Sequence, residues 1–170
     1  MRILPLVEET ADILCEPLVP FDWNNPQQDP EELSNILIEN MREHEGIGLT
    51  SNQIGLNLSA FAMIWDSKPI VVFNPEIIEY SEETTYFREL CLSYPGLEIA
   101  IRRSESIKAQ FEVSDGSTKG AVFNGLSSRI FQHEMEHVRG REYFWEVSNF
   151  ILKQAMKKRK HNLKKMRRDV

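Results

Sequence analysis

The sequence predicts an α+β fold, with antiparallel or mixed β-sheets around a central helix that carries His-Glu-x-x-His. An N-terminal helix precedes the sheets, and a basic amphipathic helix ends the chain. Three observations lead to this. Strand-like runs follow one another between residues 60 and 123 without intervening helical patterns, which argues against a parallel βαβ array. Helical periodicity holds over 30–46 and returns only from 125. Beyond 140, no Gly or Pro interrupts a stretch whose charge is opposite to that of the rest.

Residues 18–30 read as a loop, interrupted by Pro20, Asn24-Asn25-Pro26 and Asp29-Pro30. Asp29 is the expected cap of a helix opened by Pro30-Glu31-Glu32, whose acids face the positive end of the helix dipole. Leu33, Ile36, Leu37 and Met41 then recur at helical spacing, and Gly46 is the expected stop. Segments 60–65 and 70–73 read as strands joined by the turn Asp66-Ser67-Lys68-Pro69. Further strands are predicted over 84–88, 97–101, 106–113 and 119–123, with a turn at Asp115-Gly116. The period becomes helical from Gly125 to about Arg139, and Gly140 ends that helix.

The chain has 170 residues, 41% hydrophobic and 27% charged, which suits a single domain. Eight Gly and eight Pro exclude collagen and a Pro/Gly-driven disordered chain. Two cysteines do not make a disulfide scaffold, and no apolar run approaches the roughly 20 residues of a membrane span. With no signal or transit pattern at Met1-Arg2-Ile3-Leu4-Pro5, a cytoplasmic protein without membrane contact is expected. Residues 151–170 hold nine Lys and Arg against one acid, so a body of net charge −14 carries a tail of +8. The expected division is a domain over 1–147 and a basic helical extension over 148–170. In that extension Leu152, Met156, Leu163 and Met166 form an apolar stripe. Lys153, Lys157, Lys160, Lys164 and Arg168 form a basic one beside it. The simplest expectation is one helix projecting from the body.

His133-Glu134-Met135-Glu136-His137 places two imidazoles four apart on one helix face, within reach of one ion. Glu134 is then close enough to approach an activated water without ligating. A catalytic site of this kind needs a third protein ligand and an open position. The metallopeptidase pattern that continues to a third His meets Tyr143 instead, and Glu142 and Glu146 read as surface charges. Cys91, within Arg88-Glu89-Leu90-Cys91-Leu92-Ser93, is the remaining soft ligand. Cys15 is expected to be a small buried residue, and His44 and His161 to lie at the surface.

Three separated segments together resemble the peptide deformylase family. Gly46-Ile47-Gly48-Leu49-Thr50-Ser51-Asn52-Gln53 is similar to its first motif, Glu89-Leu90-Cys91-Leu92-Ser93 to its second, and Gln132 to His137 to its third. Asn52-Gln53, Ser93-Tyr94-Pro95-Gly96-Leu97 and the short tail further resemble compact members carried by marine bacteriophages. Three positions depart from the family pattern. Thr50-Ser51 stands where it has two alanines, and Leu90 where it has Gly before the cysteine. Glu136 stands where it has Asp, in an ion pair expected with Arg102 or Arg103.

The resemblance implies hydrolysis of the formyl group from N-terminal formylmethionine of nascent chains. It implies Cys91, His133 and His137 as ligands of Fe(II), with Zn(II) in purified samples, and Glu134 as general base and then acid. It further implies the Gln53 amide and the Leu92 N–H as oxyanion donors. Leu126 and Ile130 share the helix stripe of the two histidines and are expected to line a methionine pocket, with Ile47, Gly48 and Glu89 facing them. A monomer that docks to ribosomes through its basic helix is expected. Two other readings remain open at this stage: a catalytically weakened metal-binding, ribosome-associated protein, and a His-Glu-x-x-His metallopeptidase that would not need Cys91.

Overall fold

A computed structural model describes residues 2–166. In chain order the elements are α1 (Pro30–Glu43), β1 (Gly48–Thr50), β2 (Ala60–Trp65), β3 (Lys68–Tyr80), β4 (Thr84–Glu89), β5 (Ile99–Ser104), β6 (Ser106–Glu112), β7 (Thr118–Asn124), α2 (Gly125–Val138) and α3 (Asn149–Met166). A one-turn 3₁₀ helix, Ser51–Ile54, follows β1. Five strands form one sheet in the order β1-β2-β3-β6-β7, and β4 pairs with β5 in a second. Every pairing is antiparallel.

α1 begins as its sequence dictates. The Asp29 carboxylate accepts the Glu32 N–H at 2.7 Å, a cap that contributes about 1 kcal/mol. Its end differs from expectation. The left-handed residue is Glu45 at φ 57°, and Gly46 follows it. Gly46 is small for another reason: a Cβ there would lie 2.8 Å from Leu92 Cδ1. The β2–β3 turn is also tighter than expected. Asp66 and Ser67 both have positive φ, so Lys68 and Pro69 already pair with Trp65 and Ile64. A two-residue turn of this kind matches the twist of the strands it joins. β3 then continues to Tyr80 through register shifts between Phe73 and Glu76 and between Ile77 and Glu79, its Asn74-Pro75 step concealing the second half of the strand in the sequence. β5 starts at Ile99 and not at Leu97, whose N–H is used in a turn with the Tyr94 carbonyl at 3.2 Å.

The five-stranded sheet is covered on both faces. Alternation along β2 sends Ala60 and Ala62 toward α1, where they meet Leu33, Leu37, Met41 and Phe73. Phe61 and Met63 point the other way, into a cluster with Phe111, Phe123, Ile130, Phe131 and Met135 under α2. α2 therefore lies between this sheet and β5, and its residues from Ser128 to His137 are all buried. A third cluster of Cys91, Tyr94, Leu97, Ile99, Ile101 and Tyr143 lies at the small sheet and includes Ala155 of α3.

The C-terminal helix does not project. Residues 141–148 form turns, and α3 lies along the 94–97 segment. Arg159 donates to the Pro95 carbonyl at 2.9 Å and pairs with Glu9, Asn162 donates to the Gly96 carbonyl at 3.0 Å, and Leu163 packs at Gly96. The docked face is thus Leu152, Ala155, Arg159 and Asn162. Met156, expected in the apolar stripe, is exposed, because the surface beneath α3 offers carbonyls as well as apolar side chains. The Met166 side chain and Arg168, both assigned to the stripes, lie outside the described residues. Cys15 is exposed rather than buried, since only Leu14 of its short 3₁₀ turn faces the core. His44 is half-buried, its Nε2 2.9 Å from the Leu4 carbonyl.

Past α2, Gly140 adopts φ 68° against the backbone of the N-terminal segment. A Cβ there would lie 2.6 Å from Pro17 N and also collide with Glu16. Left-handed backbone costs a non-glycine residue about 1–2 kcal/mol, and the collision adds to it. Gly140→Ala should therefore destabilise the protein by more than about 2 kcal/mol in urea unfolding. An unchanged midpoint would show that the 16–17 segment yields freely.

Candidate metal centre and active-site cleft

Three segments distant in sequence converge on one cleft. β4 delivers Glu89, and Cys91 follows two residues later in a turn closed by Tyr94 N–H to the Cys91 carbonyl at 3.0 Å. α2 presents His133, Glu134 and His137. β1 and the 3₁₀ turn present Gly48, Thr50 and Gln53. The ligand atoms of Cys91, His133 and His137, all buried, lie within 4.8 Å of one another, and Cys91 Sγ is 3.2 Å from His137 Nε2.

The His133 ring is oriented from behind. Its Nδ1 lies 2.8 Å from Glu89 Oε2, which leaves Nε2 for the cleft. Tyr143 stacks on the same ring at 5.1 Å, and its hydroxyl donates to the Leu97 carbonyl. The position where a metallopeptidase would have its third histidine is therefore a packing residue, and that reading is set aside. Asn52 Nδ2 donates to the His137 carbonyl at 3.1 Å, tying the end of α2 to the 3₁₀ turn.

Glu89 is the centre of a buried ionic cluster. Arg103 grips it through Nε and a terminal nitrogen, each at 2.9 Å, and Arg129 adds a bond of 2.7 Å. Arg129 also donates to the carbonyls of Ile101 and Thr85. Burial raises the Glu89 carboxyl, but the bonds from His133 and Arg103 and their charges outweigh it and hold the group at about 2. Glu89 lines the cleft as expected, and both its oxygens are engaged by Arg103, Arg129 and His133. Glu136 approaches Arg103 at 3.9 Å and Arg139 at 3.8 Å, and burial pushes its carboxyl up against these charges. Of the two expected partners, Arg103 is the one that meets it.

The donor set suits a borderline-soft divalent ion. Burial raises the Cys91 thiol, but the charges of His137 and His133 and the bonds from both rings overcome it, holding the thiol at about 6. Ligation requires the thiolate together with neutral imidazoles. His137 Nδ1 is buried with no partner among the described residues, so this ring is held through Nε2 and the packing around it.

In front of these atoms is a cleft of about 530 Å³ lined by Ile47, Gly48, Gln53, Leu92, Leu126, Ile130 and Glu134, among others. All five residues expected in a substrate pocket border it. Ile130 is buried at its wall, whereas Leu126 and Ile47 are more than half exposed. Leu90 stands beside them, 60% exposed at the rim. The Gln53 amide is fixed from both ends: Oε1 accepts the Thr50 N–H at 2.8 Å, and Nε2 donates to Ser93 Oγ at 3.0 Å, 3.6 Å from Cys91 Sγ. Sequence reasoning missed Arg129, Ser93 and the contact of Thr50 with Glu134. Arg129 had one visible signal, a charge four residues before His133 on an otherwise apolar stripe.

The family model for polypeptide deformylase matches residues 3–151. The peptide deformylase of Thermotoga petrophila is 35% identical over 126 residues, covering 74% of this chain and 74% of that protein. A crystal structure of a mutant of Arabidopsis thaliana peptide deformylase 1B matches with a TM-score of 0.83 at 27% identity, over 98% of this chain and 93% of that one. The actinonin-bound class I type b peptide deformylase of Acinetobacter baumannii matches with a TM-score of 0.81 at 28% identity, over 87% of this chain and 100% of that one. Matched along nearly its whole length, with a thiolate and two imidazoles gathered in one cleft, the chain belongs to the peptide deformylase family, metal-dependent hydrolases that remove the formyl group from nascent polypeptides.

Proposed function

We propose that this chain hydrolyses N-terminal formylmethionine with Cys91, His133 and His137 as the ligands of Fe(II), which Zn(II) can replace, and with Glu134 as the proton carrier. The observation that supports this most directly is the grouping of three ligand atoms within 4.8 Å beside a glutamate of the same helix that lines the cleft. Cys91, His133 and His137 would hold the ion, which would supply Lewis-acid polarisation of the formyl carbonyl and a water acidified to a pKa of about 7. Glu134 takes the proton of the attacking water and returns it to the amine as the C–N bond breaks, so that formate and a free methionyl N-terminus leave. The Gln53 Nε2–H and the Leu92 N–H donate to the oxygen that becomes negative as the carbonyl carbon turns tetrahedral. With its Oε1 already bonded to Thr50 N–H, Gln53 turns its donor end and not its acceptor toward Cys91, as this role requires.

The methionine side chain occupies the apolar wall of Leu126, Ile130, Ile47 and Gly48, with Ile130 as its buried floor. The protein works as a monomer in the cytoplasm. The outward side of α3 presents Lys153, Lys157, Lys160 and Lys164, all exposed, as a docking face for ribosomal RNA phosphates. The docked side of the same helix covers the cluster around Tyr94 and Leu97, so a tail deletion would disturb the surroundings of Cys91.

Cys91→Ala removes one of three ligands, and metal analysis after anaerobic purification should show the ion lost or reduced severalfold. Unchanged stoichiometry would overturn the ligand set. Glu134→Gln keeps the shape but cannot carry the proton, so kcat on formyl-Met peptides should fall at least about a hundredfold with metal retained. Near-parental turnover would remove Glu134 from the mechanism. Reversing the four lysines together (Lys153→Glu, Lys157→Glu, Lys160→Glu and Lys164→Glu) should abolish co-sedimentation with ribosomes at low salt while short-peptide activity is kept. Equal co-sedimentation would exclude this face as the contact.

A further inference from the structure

Thr50 stands fully buried at the end of β1. Its hydroxyl oxygen lies 2.7 Å from Glu134 Oε2 and 3.4 Å from the Glu134 carbonyl oxygen. Thr50 is also the N-cap of the 3₁₀ turn, and its backbone N–H donates to Gln53 Oε1. A hydroxyl has one proton to give. That proton goes to the nearer and charged acceptor, the carboxylate. The other carboxylate oxygen, Oε1, lies over Gly48 so closely that a Cβ there would collide with it. Gly48 and Glu134 both line the cleft. The adjacent Ser51 hydroxyl donates instead to the Leu58 carbonyl, away from the site.

We propose that Thr50 is a positioning residue for deformylation: its hydroxyl holds Oε2 of Glu134, leaving Oε1 at the cleft wall as the proton-carrying atom, while its backbone N–H aims the Gln53 amide. This rests on the assignment of proton transfer to Glu134. A glutamate side chain free to rotate must be ordered before each transfer, and a hydroxyl that fixes one oxygen removes that requirement. One residue thereby sets the distance between the base and the oxyanion donor, which come from different segments. The hydroxyl acts on the base and the backbone acts on the amide, so a side-chain substitution separates the two effects.

Three variants test this: Thr50→Val, which keeps the shape and loses the hydroxyl; Thr50→Ala, which removes bulk as well; and Thr50→Ser, which keeps the hydroxyl. For each, kcat and KM on a formyl-Met tripeptide, metal content and a crystal structure are compared with the parent. Thr50→Val and Thr50→Ala should lose about tenfold to a hundredfold in kcat with KM and metal content unchanged. Thr50→Ser should recover most of the loss, and crystals of the hydroxyl-free variants should show the Glu134 carboxylate turned from Gly48 or in two positions. If Thr50→Val fails to fold, Thr50→Ala carries the comparison. Parental kcat without the hydroxyl, an equal loss in Thr50→Ser, a change confined to KM or metal content, or an unmoved carboxylate would each overturn the proposal. Failure of the underlying reading appears separately, as an active Glu134→Gln.

Discussion

The buried carboxylate of Glu89 is the interaction on which the rest of the site depends. It receives Arg103 from β5 and both Arg129 and His133 from α2, so one side chain joins the small sheet to the central helix. Such a group is costly to take from water and is tolerated only when its oxygens are fully met; losing one partner of a buried pair costs about 3–5 kcal/mol. Here the requirement is satisfied, and its consequence is positional. Cys91 is two residues beyond Glu89, so fixing the end of β4 fixes where the thiolate can stand relative to the ring whose Nδ1 the same carboxylate engages.

The layers explain why α2 can carry so many polar groups without solvent. β2 is buried on both faces, with small alanines toward α1 and Phe61 and Met63 toward α2. The aromatic cluster of Phe61, Phe123 and Phe131 holds one side of α2, leaving the other for arginine, glutamate and histidine. Arg129 and His133 are met by Glu89, and Arg129 also by the Ile101 and Thr85 carbonyls, as a low-dielectric environment demands. The Cys91 sulfur and the two imidazoles are buried, and Cys91 and His133 border the largely apolar cleft.

The charge asymmetry of the chain is arranged across α3. Its docked side spends Arg159 on Glu9 and on the Pro95 carbonyl, and Lys158 approaches Glu98 at 3.8 Å. On the other side Lys153, Lys157, Lys160 and Lys164 are exposed. The helix thus buttresses the Cys91 turn and displays positive charge at once, which no single stripe of apolar residues would accomplish.

By itself the sequence determined the α+β class, the cap of α1, the strands with clear alternation, and the helix bearing His133, Glu134 and His137, because these follow from periodicities of 2 and 3.6 residues. The resemblance of three motifs to the deformylase family pointed to Cys91 and Gln53 as well. Tertiary structure alone decided what local pattern does not encode. The second half of β3, beyond Asn74-Pro75, became strand only by pairing with β6. α3 docked through Arg159 and Asn162 because backbone carbonyls of a distant turn awaited donors. Arg129 turned inward because Glu89, 40 residues earlier, had to be neutralised. Thr50 met Glu134 across 84 residues. Each of these contacts joins segments far apart along the chain, and those of Arg129 and Thr50 exist because a buried polar group must find its partner.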